Sequence, residues 1–95
     1  MKMKTIEITQ FCIHYNIPPS FIDSLSSYEL IEIIEEENTK RLQVDDISRI
    51  EKLMRLHYDL KVNFEALDVI ERLTSQIYSL QSEITKLKNK VEFYE

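Results

Sequence analysis

The sequence predicts a mainly α-helical chain: short helices around a small β-hairpin, then one long C-terminal helix shaped for coiled-coil pairing. Three observations carry this prediction. Apolar residues repeat at heptad spacing from Ile70 to Tyr94. Two β-prone runs flank an asparagine suited to a tight turn. Pro18-Pro19 separates two short amphipathic stretches near the N-terminus.

The first helix is expected from Gln10 to about Tyr15, capped by Thr9, with Phe11, Cys12 and Tyr15 facing inward. A strand-like start precedes it. Asn16-Ile17-Pro18-Pro19 breaks the helix, and Pro19 then suits the first turn of a second one running from Ser20 to about Ser26, with Phe21, Ile22 and Leu25 inward. Two short helices with a tight turn between them form a helix-turn-helix. Ile31 to Ile34 and Arg41 to Val44 read as strands joined across Glu35–Lys40, with Asn38 at the positive-φ position of the turn. Asp45 then caps a helix from Asp46 to about Leu60, whose core face is Ile47, Ile50, Leu53, Met54 and Leu60. Lys61-Val62-Asn63 turns the chain, and Asn63 caps the last helix, which starts at Phe64 and runs to about Tyr94.

In that last helix Ile70, Ile77, Ile84 and Val91 fill one heptad position, and Leu73, Leu80, Leu87 and Tyr94 the other. β-branched residues at the first and leucines at the second are the pattern of a two-stranded coiled coil. The seam Ile70, Leu73, Ile77, Leu80, Ile84, Leu87 and Val91 therefore predicts a homodimer. The exposed-charge pairs vote weakly for parallel strands, and the orientation stays open. The expected division is a folded domain over residues 1–62 and a dimerisation helix over residues 63–95.

Composition narrows the function. The 95 residues include no glycine, which excludes phosphate-cradling Gly-rich loops and Gly-hinged lids. The single cysteine excludes an internal disulfide and a Cys-rich zinc site, and fits a reducing compartment. Cys12 reads as a small core residue, His14 and His57 lack partners at metal-ligand spacing, and His57 reads as a helix-surface histidine. Glu35 and Glu36 lack a pocket for acid–base work, so no enzyme, metal or cofactor is expected. No apolar run is long enough for a signal peptide or a membrane span, which leaves the cytoplasm as the expected location.

The order of elements resembles the winged helix-turn-helix of MerR-type regulators over most of the chain. Within that group the text Ile8-Thr9-Gln10-Phe11-Cys12-Ile13-His14 with Ile17, then Val44-Asp45-Asp46, then Arg55-Leu56-His57 with Leu60, and the closing heptads, are similar to the CbpM-type chaperone modulators. That resemblance implies a protein that is not an enzyme. It would bind the J-domain of a DnaJ-like co-chaperone and restrain its stimulation of a DnaK-type chaperone. A J-domain presents a basic helix and a His-Pro-Asp loop.

Charge bears on the choice between this reading and DNA binding. The net charge is −5, and all of it lies in residues 1–39, where seven acids face Lys2 and Lys4; residues 40–95 balance ten bases against ten acids. MerR-type regulators usually carry an arginine in the second helix, where this chain has Asp23, and a Gly-Leu step, where it has Glu29-Leu30. Their wing arginine falls near Glu35. DNA binding neutralises phosphates, so acids at these positions repel the ligand, and nucleic acid is not the expected partner. Asp23, Glu29, Glu32, Glu35, Glu36, Glu37, Asp45 and Asp46 form the candidate surface for a basic J-domain helix. The same acids also read as a solvated face that keeps the chain soluble. The binding face could alternatively lie on the Asp46–Leu60 helix, with Arg49, Arg55, His57 and Tyr58. A MerR-like DNA-binding regulator is the competing function, and a plain dimerisation adaptor the third.

Overall fold

The computed structural model describes residues 4–94. A short strand β1 (Thr5–Glu7) runs straight into helix α1 (Ile8–Tyr15), followed by α2 (Pro19–Ser27), a hairpin of β2 (Ile33–Glu36) and β3 (Thr39–Gln43), and a 3-10 turn (Val44–Asp46). Helix α3 (Ile47–Met54) then widens into a π-helical segment (Arg55–Asp59), and α4 (Phe64–Tyr94) closes the chain. The sheet is antiparallel in the order β1-β3-β2. Ile6 and Ile33 both pair with Leu42, so one rung carries an apolar stripe across all three strands. Leu42 is fully buried in the helical core, beside Phe11, Ile22, Leu25, Ile50 and Leu53.

Helix α2 follows the expected pattern, with a proline in its first turn and Phe21, Ile22 and Leu25 buried. Helix α1 starts earlier than expected. Glu7, not Thr9, precedes it, and no side chain caps it, because β1 feeds its backbone directly into the first turn and buries Ile8. The hairpin is tighter than the sequence suggests. Glu35 and Glu36 belong to β2, opposite Lys40 and Thr39, and only Glu37-Asn38 form the turn. Both have positive φ (52° and 61°), as the hairpin turns that match strand twist require. Ile31 lies before the strand yet inside the core, and Val44 lies in the 3-10 turn rather than in β3.

The expected helix from Asp46 to Leu60 is not continuous. Asp45 falls inside the 3-10 turn and Asp46 precedes α3, without a side-chain cap bond. At the far end the π segment turns less per residue than an α-helix, which rotates Leu60 off the Ile50–Leu53 face; Leu60 is 69% exposed instead of buried. The start of α4 agrees with the sequence, since Asn63 Oδ1 accepts from the Ala66 amide at 2.8 Å. Leu67, one turn in, is fully buried among the core residues. Glu71 lies 3.6 Å from both Arg49 and Lys52 of α3, which pins the next turn. Beyond Ser75 every described residue of α4 is exposed.

Two helices end in the same way. After α1 the Ile17 amide bonds the Cys12 carbonyl and the Asn16 amide bonds Ile13; after α2 the Leu30 amide bonds Leu25 and the Glu29 amide bonds Ser26. This is the Schellman arrangement, which needs a left-handed residue at Asn16 (φ 55°) and Glu29 (φ 58°). An L-residue with a Cβ costs about 1–2 kcal/mol in that conformation, and glycine's freedom in the unfolded chain returns about 0.5–1 of this. Glu29→Gly is therefore expected to stabilise the fold by about 0.5–1 kcal/mol in urea denaturation, whereas Glu29→Ala changes it by less than about 0.5.

Candidate partner interface

The predicted acids occupy four separate places. Glu29, Glu32 and Asp46 line one cleft of about 550 Å³, together with Ser26, Gln43 and Arg49. Glu35, Glu36 and Glu37 stand exposed at the tip of the hairpin. Asp23 is exposed on α2, and Asp45 is exposed in the 3-10 turn. The eight acids thus do not converge on a single pocket.

Bases that could oppose them are few and mostly engaged. Arg41, on β3, donates from Nε to the Thr5 hydroxyl at 2.7 Å and lies 3.5 Å from the Glu7 carboxylate. That leaves Lys40 as the exposed base of the hairpin. The exposed positions of α2 are Pro19, Ser20, Asp23 and Ser27, none of them basic.

The alternative face on the Asp46–Leu60 stretch is reshaped by the π segment. His57 is not a surface histidine. It is half-buried, stacked on Phe64 at 4.5 Å between ring centroids and against Phe21 at 5.3 Å, with Nδ1 2.8 Å from the Val62 carbonyl. The Val62 amide in turn bonds the Leu56 carbonyl, so the wide turn and the histidine together hold the chain reversal at Lys61 (φ 55°). Arg49 is occupied by Glu71. Arg55 and Tyr58 remain available, and both line a cleft of about 350 Å³ with Tyr15, Asn16, Ile17, Glu51, Met54 and Asp59. Sequence reasoning placed Tyr15 in the core and did not single out Glu51 or Asp59. The signal present was the acid–base–acid spacing of Glu51, Arg55 and Asp59, four residues apart.

The seam residues all lie on α4. Ile70 is half-buried near the base, while Leu73, Ile77, Leu80, Ile84, Leu87 and Val91 are 52–63% exposed. A continuous apolar stripe of that kind on a small protein marks an interaction surface. Among the described residues, no group of three or more His, Cys, Asp or Glu side chains could hold a metal ion. No helix among them is long and apolar enough to cross a membrane.

A helix-turn-helix with a three-stranded sheet, a hairpin wing and a long C-terminal helix defines a winged helix-turn-helix regulator domain. The chain belongs to the MerR HTH family of regulatory proteins, whose sequence model matches residues 6–89. Neither a curated protein nor a solved structure shows a significant match to it.

Four acids around this core titrate above their ordinary values. A hydrogen bond from Tyr15 to the Glu51 carboxylate, then burial, then the Glu51 charge raise the Tyr15 hydroxyl above 10.0. Burial, followed by the Glu65 charge, raises Tyr28. Burial also leads for Tyr58 and for the Cys12 thiol, the latter above 9.0 with Asp23 adding to it. For a raised acid the neutral form is favoured in the folded state. Its contribution is complete below the unfolded value and is lost as pH rises through the folded one. The contribution of these four groups is thus expected to be constant below about pH 9 and to fall above it, read as a lower urea midpoint at about pH 10.5 than at about pH 7.5. Tyr15→Phe should lessen that fall.

Proposed function

We propose that this chain is a chaperone modulator that binds the J-domain of a DnaJ-like co-chaperone and blocks its stimulation of a DnaK-type chaperone. The observation that carries the reading is the charge of the helix-turn-helix and wing. In a DNA-binding relative these elements meet phosphate. Here α2 exposes no base, the wing tip carries Glu35, Glu36 and Glu37, and Arg41 is held by Glu7 and Thr5. Phosphate contacts supply most of the affinity for DNA, and this surface offers almost none. The same field attracts a basic protein helix, speeding encounter and fixing orientation. The CbpM-like text in α1, after the wing and in the π segment supplies the identity of that partner. The chain acts by binding alone, without a catalytic step, in the cytoplasm.

The family match keeps a DNA-binding regulator as the second reading. A pull-down with a purified J-domain, run beside a low-salt DNA mobility-shift assay, separates the two. Capture of the J-domain without a DNA shift is expected. A DNA shift without capture reverses the choice. Charge reversal at Glu35, Glu36 and Glu37 should slow association and remove most of its salt dependence.

The exposed stripe on α4 is assigned to a second copy of the chain, paired along Leu73, Ile77, Leu80, Ile84, Leu87 and Val91. A heptad seam left in water loses the apolar burial that its spacing provides. Sedimentation at micromolar concentration should show a dimer, and Leu80→Asp should give a monomer with an intact domain, because a carboxylate buried in the seam is too costly to retain.

A further inference from the structure

The cleft beside the π segment has features that the packing of the chain itself does not use. Glu51, Arg55 and Asp59 are spaced four residues apart, the spacing at which helical side chains of opposite charge ordinarily pair. Among the described residues none of the three forms an ion pair; all three line the cleft. Glu51 is held in place because Tyr15 donates its hydroxyl to Oε1 at 3.0 Å. The other carboxylate oxygen, Oε2, receives no hydrogen bond from another described residue. The walls are apolar or aromatic: Ile17 and Met54 are half-buried, and Tyr58 stands exposed on the π segment. π-helical turns are rare and recur at functional sites. This one closes with the Leu60 amide on the Arg55 carbonyl at 3.3 Å, and the Val62 amide and His57 hold the chain reversal that follows it.

Two carboxylates against one guanidinium give the cleft a net negative charge. Its aromatic and aliphatic walls fit the stem of a long side chain, and the ring of Tyr58 offers a face for a cation. A ligand matching this set has a cationic head on an aliphatic stem, with an acidic group nearby to meet Arg55.

From this we infer that the cleft is the anchor for a basic side chain, an arginine, of the partner protein, seated between Glu51 and Asp59. The inference rests on the J-domain reading for the partner's identity, but the chemistry of the cleft is independent of it. The acids of the hairpin act at long range and set the rate of encounter. The cleft acts at contact and sets the rate of dissociation. Neither place substitutes for the other.

The test has two arms. In the first, the purified J-domain is titrated against the full chain and against Glu51→Gln, Asp59→Asn and the triple variant Glu35→Gln, Glu36→Gln, Glu37→Gln. The side-chain amide introduced by Glu51→Gln keeps an acceptor for Tyr15, and circular dichroism checks the fold. Each cleft variant is expected to weaken binding about tenfold through faster dissociation, and the triple variant to slow association instead. In the second arm, N-acetyl-argininamide is titrated into the 15N-labelled chain, with N-acetyl-norleucinamide as the control. Saturable shifts at the amides of Tyr15, Tyr58 and Asp59, seen with arginine and lost in Glu51→Gln, are expected. Cleft variants that bind the J-domain as tightly as the parent overturn the anchor while leaving the J-domain reading intact. Failure of the parent chain to bind the J-domain overturns that reading instead. The anchor then stands on saturable arginine shifts and falls if arginine and norleucine behave alike.

Discussion

A chain without glycine must still reverse direction, and the whole fold depends on how it does so. Asn16, Glu29, Glu37, Asn38 and Lys61 all adopt positive φ, and each sits at a reversal between two elements. Asparagine tolerates this conformation; glutamate and lysine accept its cost. That cost is offset locally. At Asn16 and Glu29 the left-handed residue places two amides onto carbonyls that a helix end otherwise leaves unpaired. The residue after each reversal then enters the apolar interior: Ile17 packs at its edge and Leu30 is buried within it. At these two helix ends the backbone strain and the core are therefore coupled, since the left-handed residue fixes the angle at which the next apolar side chain arrives.

The core assembled this way is small, and one turn of α4 completes it. Phe64 joins the aromatic cluster with Phe21, Tyr28 and His57, and Leu67 fills the interior. Glu71 then ties α4 to Arg49 and Lys52, which fixes the direction in which the rest of the helix leaves the domain. Beyond Ser75 every described residue of the helix is exposed, and the molecule stretches to 57 Å in its longest dimension. Isolated helical stretches are marginal in water, and most helical stability comes from a packed apolar face. The distal seam presents such a face unfilled.

Much of this was legible in the sequence, for identifiable reasons. The Asn63 cap, the proline at the start of α2, the turn at Asn38 and the extent of α4 were readable because each rests on a few adjacent residues with strong local preferences. The misread features rest on tertiary context. Thr9 has the chemistry of a cap, but the strand before it carries the helix start forward to Ile8. Leu60 has core spacing only if the helix stays α, and the π segment is set by bonds from Val62 and His57 that no local pattern announces. His57 became part of the aromatic cluster because Phe21 and Phe64, distant in sequence, meet it there. The candidate cleft was invisible for the same reason, because Tyr15 and Glu51 are 36 positions apart. The acidic surface was legible as composition and charge distribution, but not as geometry, since its members fall in four places.

The position of the strain sharpens the argument about partners. Among the described residues five have positive φ; two of these are glutamates, and both belong to the acidic set on the helix-turn-helix and wing. At Glu29 glycine would relieve the backbone and leave the Schellman bonds intact, since these need only main-chain atoms. Nothing in the capping geometry uses the Glu29 side chain. It lines instead the cleft shared with Glu32 and Asp46. At Glu37 asparagine or glycine would serve the turn equally well, and the carboxylate again stands in solvent beside Glu35 and Glu36. The backbone cost therefore falls on carboxylates that local structure does not require. A phosphate-binding surface gains nothing from them, because each adds repulsion where a base would be needed. A surface that meets a basic protein gains from both, and that asymmetry, more than the count of acids, is what favours the proposed reading over DNA binding.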